Sequence, residues 1–295
     1  MTSNNLIKGD KACLDIHTFE HELQPHRMKT IPFHKYQGTG NDFVMIDNRH
    51  TCHLSRQDEA LISRLCDRRF GIGADGLILL QEAPGYDFEM VYFNADGRES
   101  TLCGNGGRCS VAFAQHLGMI GERCHFLAID GPHQAYVEEN GRIELKMADV
   151  NAVEQGTDYF ILNTGSPHYV VFAEDISNLN IVEGGQLIRY SDRFRKEGIN
   201  VNFVEDKGAA IEVATYERGV EGETLSCGTG VTAAALSWSL RHRKGGDFEL
   251  PVLTKGGELS VRFLAEEGNC FSGIWLCGPA ERVFEGVYLV KNEPA

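Results

Sequence analysis

The stretch Glu99-Ser-Thr-Leu-Cys103-Gly-Asn-Gly-Gly-Arg-Cys-Ser-Val-Ala decides how the chain is read, because Glu223-Thr-Leu-Ser-Cys227-Gly-Thr-Gly-Val-Thr-Ala-Ala-Ala repeats its frame. In each, a Glu stands four residues before a Cys, Gly-X-Gly follows the Cys, and a small, apolar run then reads as a helix. A thiol just before a helix start faces unpaired backbone N–H groups and the positive end of the helix, both of which favour a thiolate. Cys103 and Cys227 are therefore candidate acid–base groups, expected to be lowered from ~8.5 toward ~7.

The two cysteines lie 227 − 103 = 124 residues apart, and flanking motifs recur at nearly that distance. Gly38-Thr-Gly-Asn-Asp-Phe-Val-Met-Ile has an echo in Asn163-Thr-Gly-Ser-Pro-His-Tyr-Val-Val, and Gly71-Ile-Gly-Ala-Asp a looser one in Gly198-Ile-Asn-Val-Asn. Three echoes in one order indicate a duplicated half. A length of 295 residues accommodates two such halves, each with its own core.

The formal net charge is −14, and no Lys/Arg cluster lies beside interleaved aromatics, which argues against nucleic acid or an anionic membrane as partner and for a small-molecule substrate. No apolar run approaches 20 residues and the N-terminus lacks a signal-peptide pattern, so a soluble, cytoplasmic protein is expected. Nine cysteines without a Cys-X-X-Cys pair indicate neither a disulfide framework nor a common zinc site. Cys13, Cys52, Cys66, Cys124, Cys270 and Cys277 read as buried, reduced thiols.

Residues 1–27 show no sustained period and read as a loosely ordered extension, with Met28 a second candidate start. From Ile31 short strands flank the Gly38-Thr-Gly-Asn41 turn, and Ser55 is expected to cap a helix ending near Arg68-Arg69. Strands at 77–80 and 88–93 precede the first cysteine helix, which should stop at Leu117 with Gly118 beyond it. Further strands lead to a half-boundary near Val150, placing one half at 28–150 and the other at 151–279. In the second half, strands at 169–172, 199–204 and 211–217 precede the second cysteine helix, whose stop is expected at the cations 241–244 and Gly245. Four strands follow. The expected class is α+β, each half a set of short strands around one long helix that opens at a cysteine.

Two matched halves that each aim a thiol from a helix start place Cys103 and Cys227 on opposite walls of a cleft. Removing a proton from one face of an sp³ carbon and returning one to the other face inverts that centre. The minimum for this is two acid–base groups and an anion site for the adjacent carboxylate, which the backbone N–H groups at Gly104-Asn105 and Gly228-Thr229 can provide.

Gly38-Thr-Gly-Asn-Asp-Phe, Gly71-Ile-Gly-Ala-Asp, Asn94-Ala-Asp-Gly, Cys103-Gly-Asn-Gly, Ser166-Pro-His168, Asn200-Val-Asn-Phe, Glu217-Arg-Gly and Cys227-Gly-Thr-Gly together resemble the diaminopimelate epimerase family, in the family's order and over nearly all of the chain after Met28. The resemblance implies interconversion of LL- and meso-2,6-diaminoheptanedioate, in lysine and peptidoglycan precursor synthesis, without pyridoxal phosphate or metal. It implies two pseudo-symmetric, barrel-like domains, each around a central helix, with the active site between them. The last strand, about 280–295, would return to the first domain, and the chain would form a homodimer.

By position, the resemblance makes Cys103 and Cys227 the base and acid, exchanging roles with direction. Asn41, Asn94 and Asn200 become substrate-binding amides, and Arg218 the clamp on the distal carboxylate beside Glu217. Gly104, Asn105, Gly228 and Thr229 would hold the reacting carboxylate, and His168 and Glu217 would tune the thiols. Two positions depart from the pattern: Ser166 stands where some members have Asn, and Gly76 where some have Gln, so each lacks a side-chain amide. The alternatives are a proline or hydroxyproline racemase of the same architecture and a one-thiol hydrolase or transferase using Cys103 with His168. The proline-type relatives usually carry His where Asn105 stands, and the Glu217-Arg218 pair suits a substrate with a second charged end. Glu99 and Glu223 read as ordinary acids near a helix start.

Overall fold

The computed structural model describes residues 29–290; the expected extension over 1–27, the candidate start at Met28 and residues 291–295 lie outside the described residues. The hairpin β1 (Thr30–Gly38) and β2 (Asn41–Asp47) leads through α1 (Glu59–Cys66) to β3 (Gly76–Gln81), β4 (Phe88–Asn94) and α2 (Gly104–His116). Three strands complete this set: β5 (Arg123–Ala128), β6 (Gly131–Val137) and β7 (Ile143–Lys146). After β8 (Val153–Gln155) come β9 (Tyr159–Asn163), β10 (Pro167–Ala173), α3 (Ile181–Arg189), β11 (Asn200–Asp206), β12 (Ile211–Glu217) and β13 (Gly222–Thr224). Then follow α4 (Gly228–Arg241), β14 (Gly246–Thr254), β15 (Gly257–Ala265), β16 (Phe271–Gly278) and β17 (Glu281–Leu289).

The pairing order shows the duplication more completely than the motifs do. In the first set β1–β2 is antiparallel, β2–β3 parallel, β3–β4 antiparallel, β4–β5 parallel, and β5–β6 and β6–β7 antiparallel. The second set repeats this step for step: β9–β10 antiparallel, β10–β11 parallel, β11–β12 antiparallel, β12–β14 parallel, and β14–β15 and β15–β16 antiparallel. The starts of β3 and β11, at 76 and 200, and of α2 and α4, at 104 and 228, keep the spacing of the cysteines. The Gly71/Gly198 echo is out of step with this register, because Gly71 stands five residues before β3 and Gly198 two before β11. The sets are joined where β7 pairs with β16, and β17 returns to pair with β1.

Each cysteine helix is enclosed by its strands. Nearly every side of α4 is buried, from Val231 and Ala233 to Leu236 and Trp238, which is the pattern of a helix with no solvent face. In α2, Gly106 and Gly107 bring the helix against Ile78, Met90 and Leu145, where a β-carbon would already be 3.2 Å from the Ile78 methyl.

Two helix ends differ from expectation, and one helix is additional. Helix α2 does stop at Leu117, with Gly118 left-handed at φ 69° and both bonds of a Schellman ending, Gly118 N–H to Gln115 O and Met119 N–H to Ala114 O. In α4 the left-handed residue is Arg243, at φ 51°, not Gly245; Arg243 and Lys244 donate to Leu240 and Ser239. Helix α1 is capped at Asp58, whose carboxylate instead receives the Ser55 N–H and hydroxyl, so the helix begins later and ends earlier than expected. Helix α3 was not expected at all, since Gly184 and Gly185 disfavour a helix. They are required there by packing: a β-carbon on Gly185 would overlap the Tyr216 ring, and one on Gly184 would lie 3.0 Å from Phe203. Asn180 caps α3 by accepting the Glu183 N–H at 3.2 Å, and α3 occupies between β10 and β11 the place of α1 between β2 and β3.

Candidate active site

Cys103 and Cys227 are the N-cap residues of α2 and α4, both with extended backbone, and their carbonyls accept the first helical bonds from Gly107 and Val231. The two helix starts meet head to head: a β-carbon on Gly104 would lie 3.5 Å from the Gly228 Cα. Asn105 crosses this junction, 1 % exposed, and donates its amide to Ser226 O at 3.1 Å and to Asn41 Oδ1 at 3.4 Å.

Asn41 is set by the β1–β2 turn. Thr39 and Gly40 have φ values of 49° and 84°, the double left-handed conformation of a tight hairpin. The β-branched Thr39 is strained there, and the turn is held between Leu225 and Gly256 of the second set. Asn41 donates to Asp75 Oδ2 at 2.7 Å, which turns its carbonyl toward Cys103, whose thiol lies 3.5 Å from Asn41 Oδ1. Arg68 anchors the acids beneath, reaching Asp42 at 2.6 Å and Asp75 at 2.7 Å. Hydrogen bonds from Arg68 and Lys35 outweigh burial and hold the Asp42 carboxyl well below the usual range.

Cys227 Sγ lies 3.5 Å from Thr229 Oγ1, and Thr164 donates to the Thr229 carbonyl at 2.8 Å. The expected lowering of both thiols is not what their surroundings give. Burial pushes both up, Cys227 to about 12, and the nearby Glu217 carboxylate adds to the effect; the opposing N–H groups of Asn105, Gly106 and Gly230 are outweighed. A thiolate here needs a further positive charge. Burial also raises Glu217 itself.

On the second wall Asn200 is fully engaged: its amide donates to Ser166 Oγ at 2.8 Å and Pro167 O at 3.0 Å, and its carbonyl accepts the Arg218 N–H at 2.9 Å. The Arg218 guanidinium is exposed, bonded to Glu197 O at 3.1 Å and Ser166 Oγ at 3.4 Å, and forms no ion pair among the described residues. Ser166 thus takes part in the site as an acceptor. Gly76 leaves no room for a side chain, because a β-carbon would lie 2.5 Å from Phe93 O and 2.6 Å from the Tyr92 ring. Asn94 ends β4, opposite Gly76, with its side chain exposed.

His168 is wholly buried and sits beside Asn202, not against a thiol: Nδ1 is 3.0 Å from Asn202 Nδ2. Thr215 donates to Asn202 Oδ1, so Asn202 is the donor to Nδ1 and the imidazole proton belongs on Nε2. Burial and the Arg218 charge depress His168 to about 3, so it is neutral at ordinary pH. Glu99 and Glu223 pair with Arg56 at 3.1 Å and Lys255 at 2.7 Å, in keeping with their ordinary reading.

Among the described residues one grouping has metal-ligand chemistry, His34, His116 and Glu285, away from the thiols. The Arg282 guanidinium already sits 3.2 Å from His116 Nε2 and 2.8 Å from Glu285, where a cation would be.

A profile of the family described as diaminopimelate epimerase matches residues 33–153 and 160–283, nearly the whole of the duplicated structure. The chain belongs to the diaminopimelate epimerase family. It is 51 % identical over 256 residues to diaminopimelate epimerase of Flavobacterium psychrophilum, covering 86 % of this chain and 99 % of that one. The enzyme of the same name from Aquifex aeolicus is 39 % identical over 279 residues, covering 87 % and 97 %. Membership makes this chain an epimerase. Solved structures share the two-domain fold at low identity. A phenazine biosynthesis protein of the PhzF family from Bacillus anthracis has a TM-score of 0.70 at 14 % identity, over 89 % of this chain and 100 % of that one. A hydroxyproline epimerase from Agrobacterium vitis has a TM-score of 0.64 at 13 % identity, over 90 % and 94 %.

The residues that sequence reasoning missed are those holding the amides in place: Arg108, Asp75, Thr164 and Ser226. Each lies within or beside a quoted motif, yet nothing in the spacing reveals partners 34 to 171 residues away, Asn41 for Asp75, Thr229 for Thr164, Asn105 for Ser226, and Thr39 and Pro279 for Arg108.

Proposed function

We propose that this enzyme interconverts LL- and meso-2,6-diaminoheptanedioate by two-base proton transfer between Cys103 and Cys227, in lysine and peptidoglycan precursor synthesis. The observation that carries the reading is the head-to-head meeting of two helix starts, each capped by a cysteine. One thiolate removes the α-proton from one face while the opposite thiol delivers a proton to the other, so each turnover exchanges their protonation states. The negative charge that develops on the α-carboxylate is stabilised by the N–H groups at Gly104, Asn105, Gly228 and Thr229 and the positive helix ends behind them. Burial disfavours a thiolate at either cysteine, and the substrate's α-ammonium group brings the positive charge that offsets this. The reaction needs no cofactor or metal in this reading.

At the distal end Arg218 takes the second carboxylate in a bidentate pair, with Ser166 on the guanidinium and Asn200 and Glu217 contacting the substrate beside it. Asn41 and Asn94 contact the substrate from the first half, and His168 acts on the site through Asn202 and the charge of Arg218. The first half is taken as residues 28–150 closed by β17, and the second as 151–279.

We also read the protein as a cytoplasmic homodimer. Among the described residues no helix is long and apolar enough to cross a membrane. Strand β17 pairs there only with β1 and exposes Val283, Val287 and Leu289, an apolar edge suited to a second copy.

The substrate is tested by incubating the purified enzyme with LL-diaminopimelate and, separately, with L-proline and trans-4-hydroxy-L-proline, and resolving stereoisomers by chiral chromatography. Formation of meso-diaminopimelate alone supports the reading. Inversion of proline or hydroxyproline without diaminopimelate turnover would replace it.

A further inference from the structure

Arg108, in the second turn of α2, is wholly buried, and every hydrogen bond it makes goes to a neutral acceptor. Its guanidinium donates to Asn105 Oδ1 at 2.9 Å, Thr39 Oγ1 at 3.3 Å, Gly104 O at 3.4 Å and Pro279 O at 3.3 Å. Among the described residues no carboxylate pairs with it. A buried cation without a counter-ion is costly unless the function supplies the missing anion. Glycine at 278 makes way for this group, since a β-carbon there would lie 3.2 Å from Arg108 Nε.

The bond to Asn105 also has a direction. Arginine can only donate, so Asn105 must present its oxygen to Arg108 and its amide to the junction, where it reaches Ser226 O and Asn41 Oδ1. Asn41 is in turn held from behind by the acceptor Asp75. The carbonyl facing Cys103 is therefore aimed from two sides, by an obligate donor at one end and an acid at the other.

We propose that Arg108 is a positioning residue of the epimerase site: it orients Asn105 across the helix junction, and its unpaired charge makes that junction accept an anion, either the Cys103 thiolate or the reacting carboxylate. The proposal rests on the reading of Cys103 as an acid–base group. The other ionisable groups around Cys103 are Glu217, Tyr92, Cys109 and Cys227; each is neutral or negative, so Arg108 supplies the positive charge on this side.

The test measures iodoacetamide alkylation of Cys103 against pH in the full chain without substrate, located by fragment-ion mass spectrometry, beside kcat/KM for diaminopimelate. Arg108→Met should move the Cys103 profile up by about one pH unit, a tenfold slower reaction at neutral pH. Arg108→Lys keeps the charge and should keep the profile, but it releases the fork on Asn105 and should lower kcat/KM tenfold or more. Asn105→Ala should repeat the kinetic loss with the profile unmoved. A wild-type profile in folded Arg108→Met, or wild-type kcat/KM in Arg108→Lys, overturns the proposal; the lysine variant decides it should the methionine variant not fold. Alkylation requires no turnover, so a wrong substrate assignment shows separately, as a wild-type enzyme inert toward diaminopimelate with an intact Arg108-dependent profile.

Discussion

Gly104 and Gly228 abut at the centre of the molecule: a β-carbon on Gly228 would lie 3.4 Å from the Gly104 Cα and 2.9 Å from a Leu276 methyl. Only paired glycines allow the two helix starts to approach this closely. Gly228→Ala should therefore push the helix starts apart. Overpacking of this kind costs about 1–3 kcal/mol of stability. The loss in kcat/KM should be larger, about 100-fold, because displacement of the acid–base groups by a fraction of an ångström misaligns the proton transfers. Denaturant melts and steady-state kinetics on one preparation compare the two; a loss of stability with unchanged kcat/KM would count against the junction as the reaction centre.

In the two-base reading proposed above, removing either thiol leaves the other without an exchange partner. Cys103→Ala and Cys227→Ala should each lower epimerisation by about 10²–10⁴-fold, with circular dichroism unchanged. Full epimerisation in either variant would mean that inversion does not need both thiols and would contradict the two-base reading.

Arg218 and Ser166 are expected to divide in magnitude. Arg218→Met removes the charge-assisted pair proposed with the distal carboxylate and should raise KM about 10- to 100-fold. Ser166→Ala removes a neutral acceptor shared by Asn200 and Arg218 and should raise it only about fivefold. Equal effects would mean that Arg218 acts through Ser166 and not on the substrate.

His168 gives a sign-determined pH dependence of stability. Its folded-state value, about 3, lies below the ordinary value of 6.5, so the folded protein binds fewer protons than the unfolded chain between these limits. Stability is full above pH 6.5 and falls progressively as pH drops toward 3. His34, lowered by burial, works in the same direction, whereas Glu217, raised by burial, opposes it above its ordinary value of 4.5. His168→Gln should flatten the fall in denaturant midpoint between pH 6.5 and 4.5; an unchanged slope would show that the histidine is not neutral and buried in solution.

Much of this was legible in the sequence wherever function and local structure use the same residues. Cys103-Gly and Cys227-Gly had to be helix starts, and Gly118 had to end α2, because the backbone there admits few alternatives. Helix α3 was hidden because Gly184 and Gly185 serve Phe203 and Tyr216, which are distant in sequence, and such packing overrides local propensity. Arg243 took the left-handed position that glycine would have signalled. The direction of the thiol shifts was misread for a related reason: the helix ends are local, but the burial that outweighs them belongs to the assembled halves. Arg108 reads as one more cation in a helix until Thr39, Asn105 and Pro279 are brought around it.

The most direct test of the two-thiol account is the isotopic composition of the product formed in D₂O at low conversion from LL-diaminopimelate, read by NMR and mass spectrometry. Two separate bases, each in exchange with solvent, predict that every inverted centre in the first meso-diaminopimelate carries deuterium while unreacted substrate remains protiated. Meso product that retains the original α-proton would show that one group removes and returns it, and would contradict the account.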